Sequence, residues 1–253
     1  MITFSLQSGS NGNAVYVEAG GVRLLFDAGL SGRQAEVRMN RYGRSLRDCD
    51  AVIISHDHND HVSRAGVYQR RFGLPIYIAP RVHRAVQRRL GKLTDVRWFN
   101  PGDTLWFKQV AVHTLPTPHD GIDTVCFVVE HERRRLGILT DLGSPFRALR
   151  TALGELDAAY LESNYDPEML WSGWYPEEVK RRIAGRGGHL SNEEAAELTR
   201  RHRSRRLKWL AAAHLSENNN RPELALEAQW RLVGRMLPVY VASRYEVGEL
   251  LTV

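Results

Sequence analysis

The sequence predicts an α/β protein in which two central β-sheets carry helices on their outer faces. Short apolar runs rich in β-branched residues alternate with helix-like segments through both halves of the 253 residues. No internal repeat, low-complexity tract or Pro/Gly/Ser-rich linker interrupts this alternation. We therefore expect one domain over residues 1–253, with a sheet in each half of the chain.

In the first half, glycine-rich or polar segments end each expected strand, and a helix follows from the third strand onward. The segment SGSNGN and the pair Gly20-Gly21 separate the first three strands, and Asp27-Ala28-Gly29 ends the third. Strands are expected at residues 2–6, 14–18, 23–26, 51–55 and 75–79. Helices are expected at about residues 31–42, 63–72 and 81–90.

The second half repeats this alternation and closes with a strand. Ser191 or Asn192 would cap one of its helices, since both residue types accept hydrogen bonds from free N–H groups at a helix start. Strands are expected at residues 96–99, 104–114, 124–131, 136–140, 158–162, 208–213 and 239–242. Helices are expected at about residues 145–153, 167–171, 176–184, 191–202 and 221–236.

Composition indicates a globular protein of a reducing cytoplasm. No apolar run is long enough for a membrane span, and the N-terminus does not resemble a secretory signal. Two cysteines are too few for a disulfide framework or a thiolate zinc site, and Cys126 lies in a core-like strand. Lys+Arg outnumber Asp+Glu by 35 to 29, and almost all the cations are arginine. Arginine favours an anionic partner, although genome base composition explains the bias equally well.

The most informative stretch is His56-x-His58-x-Asp60-His61, which directly follows the apolar run AVIIS. Side chains alternate along a strand, so His56 and His58 can converge on one point while Asp60 and His61 face another. Imidazole and carboxylate together suit zinc, manganese or iron. Four donors exceed what one catalytic zinc with an open position needs, so the spacing predicts two metals.

Further donors stand at the ends of other apolar runs. Individually each has an ordinary structural explanation, such as a helix cap, a turn or a hydrogen-bonded histidine. Together they complete two coordination spheres. These residues are His119 in a proline-rich turn, Asp141, Glu162, Asn164, His189 in a glycine-rich turn, and His214.

With these residues in place, the chain resembles the metallo-β-lactamase superfamily over essentially its whole length. Further motifs resemble the YycJ/WalJ branch, cytoplasmic bacterial hydrolases linked to DNA nuclease activity. The resemblance implies a four-layer αβ/βα sandwich with a two-metal site along one edge of the sheets. Asn11 departs from the pattern, standing where serine is common. The motifs are SGSNGN at 8–13, LESNYD at 161–166, Met169-Leu170, Tyr175-Pro176, GHLSN at 188–192 and His214-Leu215-Ser216-x-x-Asn219-Asn220.

The resemblance also implies a role for each donor. His56, His58 and His119 would bind the first metal, and Asp60, His61 and His214 the second, with Asp141 bridging them. Asp27 matches a position that orients the metal loop by hydrogen bonding. The implied cofactors are two divalent metal ions, with Zn²⁺ expected first and Mn²⁺ or Fe²⁺ as alternatives.

The mechanistic hypothesis is attack on a DNA phosphodiester by a hydroxide shared between the metals, with Asp60 and Asp141 at the catalytic centre. His189 would bind the phosphate or protonate the leaving oxygen. Asn164, Ser191 and Asn192 are candidate substrate-binding residues. The resemblance suggests a 5′-directed exonuclease, whereas the residues themselves leave polarity and endo- or exonucleolytic action open. Candidate contacts to nucleic acid are arginines 81, 84, 88 and 89, arginines 200, 201, 203, 205 and 206, and the aromatic residues Trp171, Trp174 and Tyr175.

Three other functions stay open at this point. A lactone, thioester, cyclic-nucleotide or RNA hydrolase would use the same metal set, because a fold does not fix its substrate. A di-iron oxidoreductase is disfavoured, since such members of the superfamily usually carry a carboxylate where His58 stands, and a flavin domain. A non-catalytic metal-binding regulatory protein is disfavoured because seven ligands around two metals leave coordination positions open. The oligomeric state is not indicated.

Overall fold

The computed structural model describes residues 1–253 and consists of two seven-stranded sheets. With strands numbered along the chain, the first sheet has the order β14-β1-β2-β3-β4-β5-β6. Its antiparallel part, β14 to β3, continues into a parallel part, β3 to β6. The strands are β1 Ile2–Gln7, β2 Ala14–Ala19, β3 Val22–Phe26, β4 Ala51–Ile53, β5 Ile76–Ile78, β6 Val96–Trp98 and β14 Leu251–Thr252.

The second sheet has the order β13-β12-β11-β10-β9-β8-β7. Strands β10 to β13 are parallel, and β7 to β10 are antiparallel. Parallel pairing needs crossover connections, which the helices between these strands supply. The strands are β7 Thr104–Phe107, β8 Val110–Pro116, β9 Val125–His131, β10 Arg134–Leu139, β11 Ala158–Glu162, β12 Trp209–Ala213 and β13 Val239–Val241.

Nine helices connect the strands, together with a short 3₁₀ turn at Leu46–Asp48. The capping prediction for residues 191–202 is confirmed at Ser191, whose side chain accepts a hydrogen bond from the Glu194 N–H in a full capping box. No helix is long and apolar enough to cross a membrane. The helices are α1 Gly32–Asn40, α2 Asn59–Val62, α3 Ala65–Phe72, α4 Pro80–Leu90, α5 Arg147–Leu153, α6 Pro167–Ser172, α7 Glu177–Ile183, α8 Asn192–His202 and α9 Pro222–Val233.

The apolar faces of the two sheets and of the helices determine how the layers stack. The main core of 48 buried residues fills the space between the sheets, where the rings of Phe26 and Phe127 lie 5.0 Å apart, and extends under α3 and α4. A second cluster packs α5 and α8 against the outer face of the second sheet, through Leu149 and Leu198 among others. Helices therefore cover the outside of both sheets, and the predicted four-layer sandwich is confirmed.

One expectation about the strands is wrong, and one strand was not foreseen. Residues 104–114 form not one strand but the hairpin β7–β8, which turns at Lys108 with a φ of 54°. The sequence did not signal this turn, because it has no Gly, Asn or Pro here and lysine rarely adopts the left-handed conformation. Strand β14 was not expected either, because its two residues gain strand geometry only by pairing with β1.

Candidate metal centre

The candidate site lies where the carboxyl ends of parallel strands from both sheets meet. Asp27 and His56 follow the paired strands β3 and β4 of the first sheet. Asp141 and His214 follow β10 and β12, which flank β11 in the second sheet. Because strands of one direction end at the same edge, residues distant in sequence become neighbours there.

Three of these residues leave their strands in a strained conformation. Asp27, Asp141 and His214 have φ values of 66°, 55° and 56°. Residues other than glycine adopt this left-handed region at a cost of about 1–3 kcal/mol, and they persist there when the surroundings hold them. All three turn a polar side chain into the same edge of the sandwich.

The first donor cluster consists of His56, His58 and His119, whose ligand atoms lie within 4.8 Å of one another. His119 arrives from the turn between β8 and β9, and its Nε2 is 3.3 Å from His58 Nδ1. Two ligands of a tetrahedral zinc, each about 2.05 Å from the ion, lie about 3.3 Å apart. The spacing of this pair therefore matches a shared cation.

The second cluster consists of Asp60, His61 and His214, on α2 and after β12. Asp60 Oδ2 is 3.3 Å from both His61 Nε2 and His214 Nε2. These separations again fit ligands around one small divalent ion. His61 and His214 are almost fully buried, so their ring positions are fixed by packing.

Asp141 lies between the two clusters. Its Oδ2 is 3.3 Å from His61 Nε2, and its Oδ1 is 3.7 Å from His119 Nε2 and 3.6 Å from His214 Nε2. The residue is 2% exposed, so this carboxylate is directed at both donor sets and at almost no solvent. The geometry is that of a group able to contact two cations at once.

The residues present fit divalent cations for a further reason. His56 Nε2 and Asp141 Oδ2 are buried and have no hydrogen-bond partner in the protein. A buried polar atom without a partner costs about 1–3 kcal/mol, and two such atoms in one pocket require an explanation. Coordination of cations by these atoms removes that cost.

The outward nitrogens of the rings are held by protein groups. His61 Nδ1 is 2.7 Å from Asp27 Oδ2, and His119 Nδ1 is 2.8 Å from Gly188 O. Such partners fix the tautomer that leaves the inward nitrogen free for a metal. The Ser55 hydroxyl lies 2.9 Å from both Asp27 Oδ1 and His56 Nδ1, so the Asp27 carboxylate is linked by hydrogen bonds to the loop that carries the histidines.

Electrostatics in the pocket are dominated by its carboxylates. Burial alone would lower the pKa of His214, but Asp141, Asp60 and Glu162 raise that pKa to about 10. Burial likewise opposes a charge on His61, yet Asp141, Asp60 and Asp27 raise its pKa well above the usual value. Without a cation in the pocket, protons therefore supply the positive charge that the carboxylates attract.

The glycine-rich loop at 8–13 supports the second cluster, a role that the sequence did not indicate. Asn13 Nδ2 lies 3.1 Å from Asp60 Oδ2, and its Oδ1 accepts a hydrogen bond from Gly9 N. The Asn13 N–H also donates to Asp60 O at 2.7 Å. A Cβ on Gly29 would lie 1.8 Å from Asp60 O, so only glycine lets the chain pass here.

Glu162 joins His189 to the metal ligands. The Glu162 carboxylate is fully buried and accepts from His189 Nδ1 at 2.7 Å and from the N–H groups of Leu142 and Leu190. Burial raises the pKa of Glu162, but His189 and His214 outweigh that effect and lower the pKa to about 2. His189 is partly exposed, and its ring centroid lies 4.9 Å from that of His119.

The three candidate substrate-binding residues lie near this site but point into the protein. Asn164 Nδ2 donates to His214 O at 2.7 Å, Ser191 caps α8, and Asn192 exchanges amide hydrogen bonds with Asn220. All three are almost fully buried, so their polar groups hold the site together and do not face solvent. Their burial leaves no polar surface on these residues for a substrate to contact.

The two arginine clusters lie at different ends of the molecule. On α4, Arg89 donates to Asn59 Oδ1 and Arg81 pairs with Asp123, so this helix borders the metal loop. The cluster at 200–206 precedes β12, and Arg206 pairs with Asp157 at the start of β11. Five strand residues, about 16 Å, separate it from the site, so the second cluster does not border the candidate centre.

A family model described as Beta-lactamase superfamily domain matches residues 22–210, a range that holds most of the site. The chain belongs to the metallo-β-lactamase superfamily. Among its relatives is "Exodeoxyribonuclease YycJ" of Bacillus anthracis, 34% identical over 222 residues that cover 87% of this chain and 84% of that protein. "Exodeoxyribonuclease WalJ" of Streptococcus pneumoniae serotype 2 is 34% identical over 224 residues, covering 87% and 83%.

Solved structures agree on the fold. The Zn²⁺-bound PqqB of Methylobacterium extorquens covers all of both chains with a TM-score of 0.77 at 18% identity. The metallo-β-lactamase fold protein YhfI of Bacillus subtilis covers 99% of this chain and 98% of its own, with a TM-score of 0.74 at 18% identity. The predicted membership, the YycJ/WalJ likeness and the superfamily fold are thereby confirmed, and this member of the superfamily is a metal-dependent hydrolase.

Proposed function

We propose that the protein is a two-metal phosphodiesterase that removes nucleotides from an end of DNA. The observation that carries the proposal is the pair of three-donor clusters with the buried Asp141 carboxylate between them. The names of the relatives, both exodeoxyribonucleases, support DNA as the substrate. The alternative substrates of this superfamily lack such support here.

The residues assigned to the metals are those of the two clusters. His56, His58 and His119 would hold one ion, and Asp60, His61 and His214 would hold the other, with Asp141 placed to serve as a ligand of both. Histidine and carboxylate donors suit Zn²⁺ first and Mn²⁺ or Fe²⁺ next. Bound divalent ions lower the pKa of water and neutralise the oxygens of a phosphodiester as charge develops.

His189 is assigned the proton transfer to the leaving oxygen. Its Nδ1 is held by Glu162 Oε1 at 2.7 Å, which leaves Nε2 to face the site. A carboxylate on one nitrogen of an imidazole fixes the ring and stabilises its protonated form. The Nε2–H can then be donated as the P–O bond breaks, a role worth about 10²–10⁴-fold in rate.

The basic face of α4 is assigned to the DNA backbone. Arg81, Arg84 and Arg88 are exposed and spaced so that they share one face of the helix. Arg89 at the end of that helix contacts the metal loop, which makes the face continuous with the site. Contacts of this kind predict DNA binding that weakens steeply as salt rises.

The test is cleavage of end-labelled DNA with added Zn²⁺ or Mn²⁺. We expect Asp141→Ala and Asp141→Asn to lose roughly 10³-fold or more in kcat, since both lose the shared negative ligand. Asp95→Ala is the matched control, because that exposed carboxylate pairs only with the nearby Arg97. A 5′-directed enzyme releases a 5′ label at once as mononucleotide.

Two results would contradict the proposal. Wild-type rates for the folded Asp141 variants would remove the two-metal assignment, with circular dichroism confirming that they fold. Faster turnover of an RNA strand or a lactone than of DNA would instead leave the metal centre intact and replace the substrate.

A further inference from the structure

Two exposed tryptophans and a half-buried tyrosine lie at the end of α6 and in the connection to α7, and we call Trp171, Trp174 and Tyr175 the aromatic platform. Trp174 is 76% exposed and Trp171 is 47% exposed, so neither belongs to the core. Exposed large apolar groups in a cluster mark an interaction site more often than single ones do. The platform is therefore expected to bind a ligand or partner.

The platform is held in place before any ligand arrives. The rings of Trp174 and Tyr175 lie 4.5 Å apart with an angle of 58° between their planes. Asn218 Nδ2 donates to the Tyr175 hydroxyl at 2.8 Å, which fixes the ring against which Trp174 leans. A preorganised aromatic surface loses little conformational entropy when a flat ligand stacks on it.

One side of the platform is tied to the loop that carries His214. Asn218 stands four residues after His214 in that loop. The Asp166 N–H donates to Asn219 O at 2.8 Å, and Ser216 N donates to Asn164 O at 2.8 Å. The segment that ends in the platform is therefore bonded along its length to the loop of a proposed metal ligand.

Helix α7 connects the other side of the platform to the metal site. This helix begins directly after Tyr175-Pro176, and His189 N donates to Ile183 O at its far end. Arg182, in its last turn, donates to Asp120 Oδ2 at 2.7 Å. The seven residues of α7 span about 10 Å, which is about the length of three stacked nucleotides. The platform and His189 lie at opposite ends of this helix, so a short single strand can reach from one to the other.

Charge decides which part of a DNA strand would face the platform. Glu177 and Glu178 are exposed just after Pro176; Glu177 pairs with Arg181 at 3.1 Å, which leaves the Glu178 carboxylate to repel phosphates there. Arg186, beyond the far end of α7, is exposed and has no carboxylate within ion-pair distance. A strand would place its phosphates near Arg186 and the metal centre and its bases on the aromatic rings.

We propose that the aromatic platform stacks unpaired bases of the DNA strand whose phosphodiester is at the metal centre, so that single-stranded ends are the preferred substrate. In a duplex the faces of the bases are stacked on each other, so exposed aromatic rings bind bases that are unpaired. The inference rests on the proposed nuclease function and adds the form of DNA.

The test compares Trp174→Ala with Trp174→Phe, which keeps a ring, and with Trp106→Ala. Trp106 is a matched control because it is 67% exposed on the edge strand β7, outside the site. The probes are a fluorescent single strand, a blunt duplex of the same sequence, and bis(p-nitrophenyl) phosphate, which lacks bases. Binding is measured by anisotropy with chelator present, and KM and kcat with metal.

We expect Trp174→Ala to raise Kd and KM for the single strand roughly 5- to 100-fold, with kcat for the small diester unchanged. Trp174→Phe should restore most of the binding, and Trp106→Ala should match the wild type. An unchanged Kd for Trp174→Ala, or equal cleavage of blunt duplex and single strand by the wild type, overturns the platform alone. A wild type that hydrolyses the small diester but neither binds nor cleaves DNA overturns the proposed function and the platform with it.

Discussion

Glu162→Gln replaces one oxygen of a fully buried carboxylate by an NH₂ group of almost the same size. In the native protein, Oε1 accepts from Asp141 N at 3.2 Å and His189 Nδ1 at 2.7 Å. Oε2 accepts from Leu142 N at 3.0 Å and Leu190 N at 3.2 Å. Both oxygens face N–H donors, so the new NH₂ group opposes a donor in either orientation.

The size of the effect follows from counting the donors that lose their acceptor. An NH₂ group at the Oε2 position leaves two backbone N–H groups unpaired, whereas one at the Oε1 position leaves the Asp141 N–H and requires the His189 ring to change tautomer. Each buried unpaired donor costs about 1–3 kcal/mol, and bonds to a charged acceptor are the stronger ones. We expect the variant to lose about 2–4 kcal/mol of unfolding free energy.

Activity should fall as well. In the less costly orientation, the glutamine NH₂ faces His189 Nδ1, which must then accept a hydrogen bond, and no carboxylate remains to stabilise the protonated ring. We expect kcat to fall by about 10²–10⁴-fold, the usual range for loss of proton transfer. Urea unfolding of the metal-free protein and hydrolysis of the small diester by the metal-loaded protein measure the two effects separately.

The matched control is Glu130→Gln, a change of the same kind at a half-buried residue that pairs with Arg135 on the protein surface. Such a pair contributes about 0–1 kcal/mol, so the control should unfold close to the wild type. If Glu162→Gln unfolds within about 0.5 kcal/mol of the wild type, the reasoning from buried donors is refuted.

Two further predictions concern the metals. Asn13→Ala removes the amide that lies 3.1 Å from Asp60 Oδ2, so we expect metal binding to weaken about 10–100-fold. Competition with a chromophoric chelator measures the affinity. An unchanged affinity would contradict a positioning role for Asn13. The surrounding carboxylates raise the pKa of His214 to about 10 and the pKa of His61 well above its usual value, so both rings hold protons more tightly in the metal-free protein than free histidine does. Metal binding should therefore release protons and should weaken as the pH falls. Calorimetric titration in buffers of different ionisation enthalpy measures the proton release, and binding heats that are the same in every buffer would contradict the prediction.

The proposed ligands could be found in the sequence because their chemistry is local. Metal donors are rare residue types at the ends of apolar runs, as His56, Asp141 and His214 illustrate, and an ordered strand leads each of them to the sheet edge. The structure brings all seven proposed ligands into three overlapping groups of neighbouring donor atoms, one of which joins Asp141 to His56 and His61. Their metal occupancy stays a prediction that the loading experiments test.

Supporting residues were harder to recognise. Asn13 reads as a turn residue in a glycine-rich loop, and only the packing of that loop against α2 brings its amide to Asp60. Glu162 was noted at a strand end, but its partner His189 stands 27 residues later, after two helices. Ser191 and Asn192 are polar in sequence and buried in the structure, which local pattern could not reveal.

By itself the sequence determined the alternation of strands and helices, the family, and which rare donors stand at strand ends. These features depend on residue type and short-range periodicity, which the chain carries locally. Tertiary structure decided which polar atoms face the site, which arginines lie near it, and that the aromatic platform adjoins the His214 loop. Those outcomes depend on how the loops of two sheets pack at a shared edge, through contacts between residues far apart in the chain.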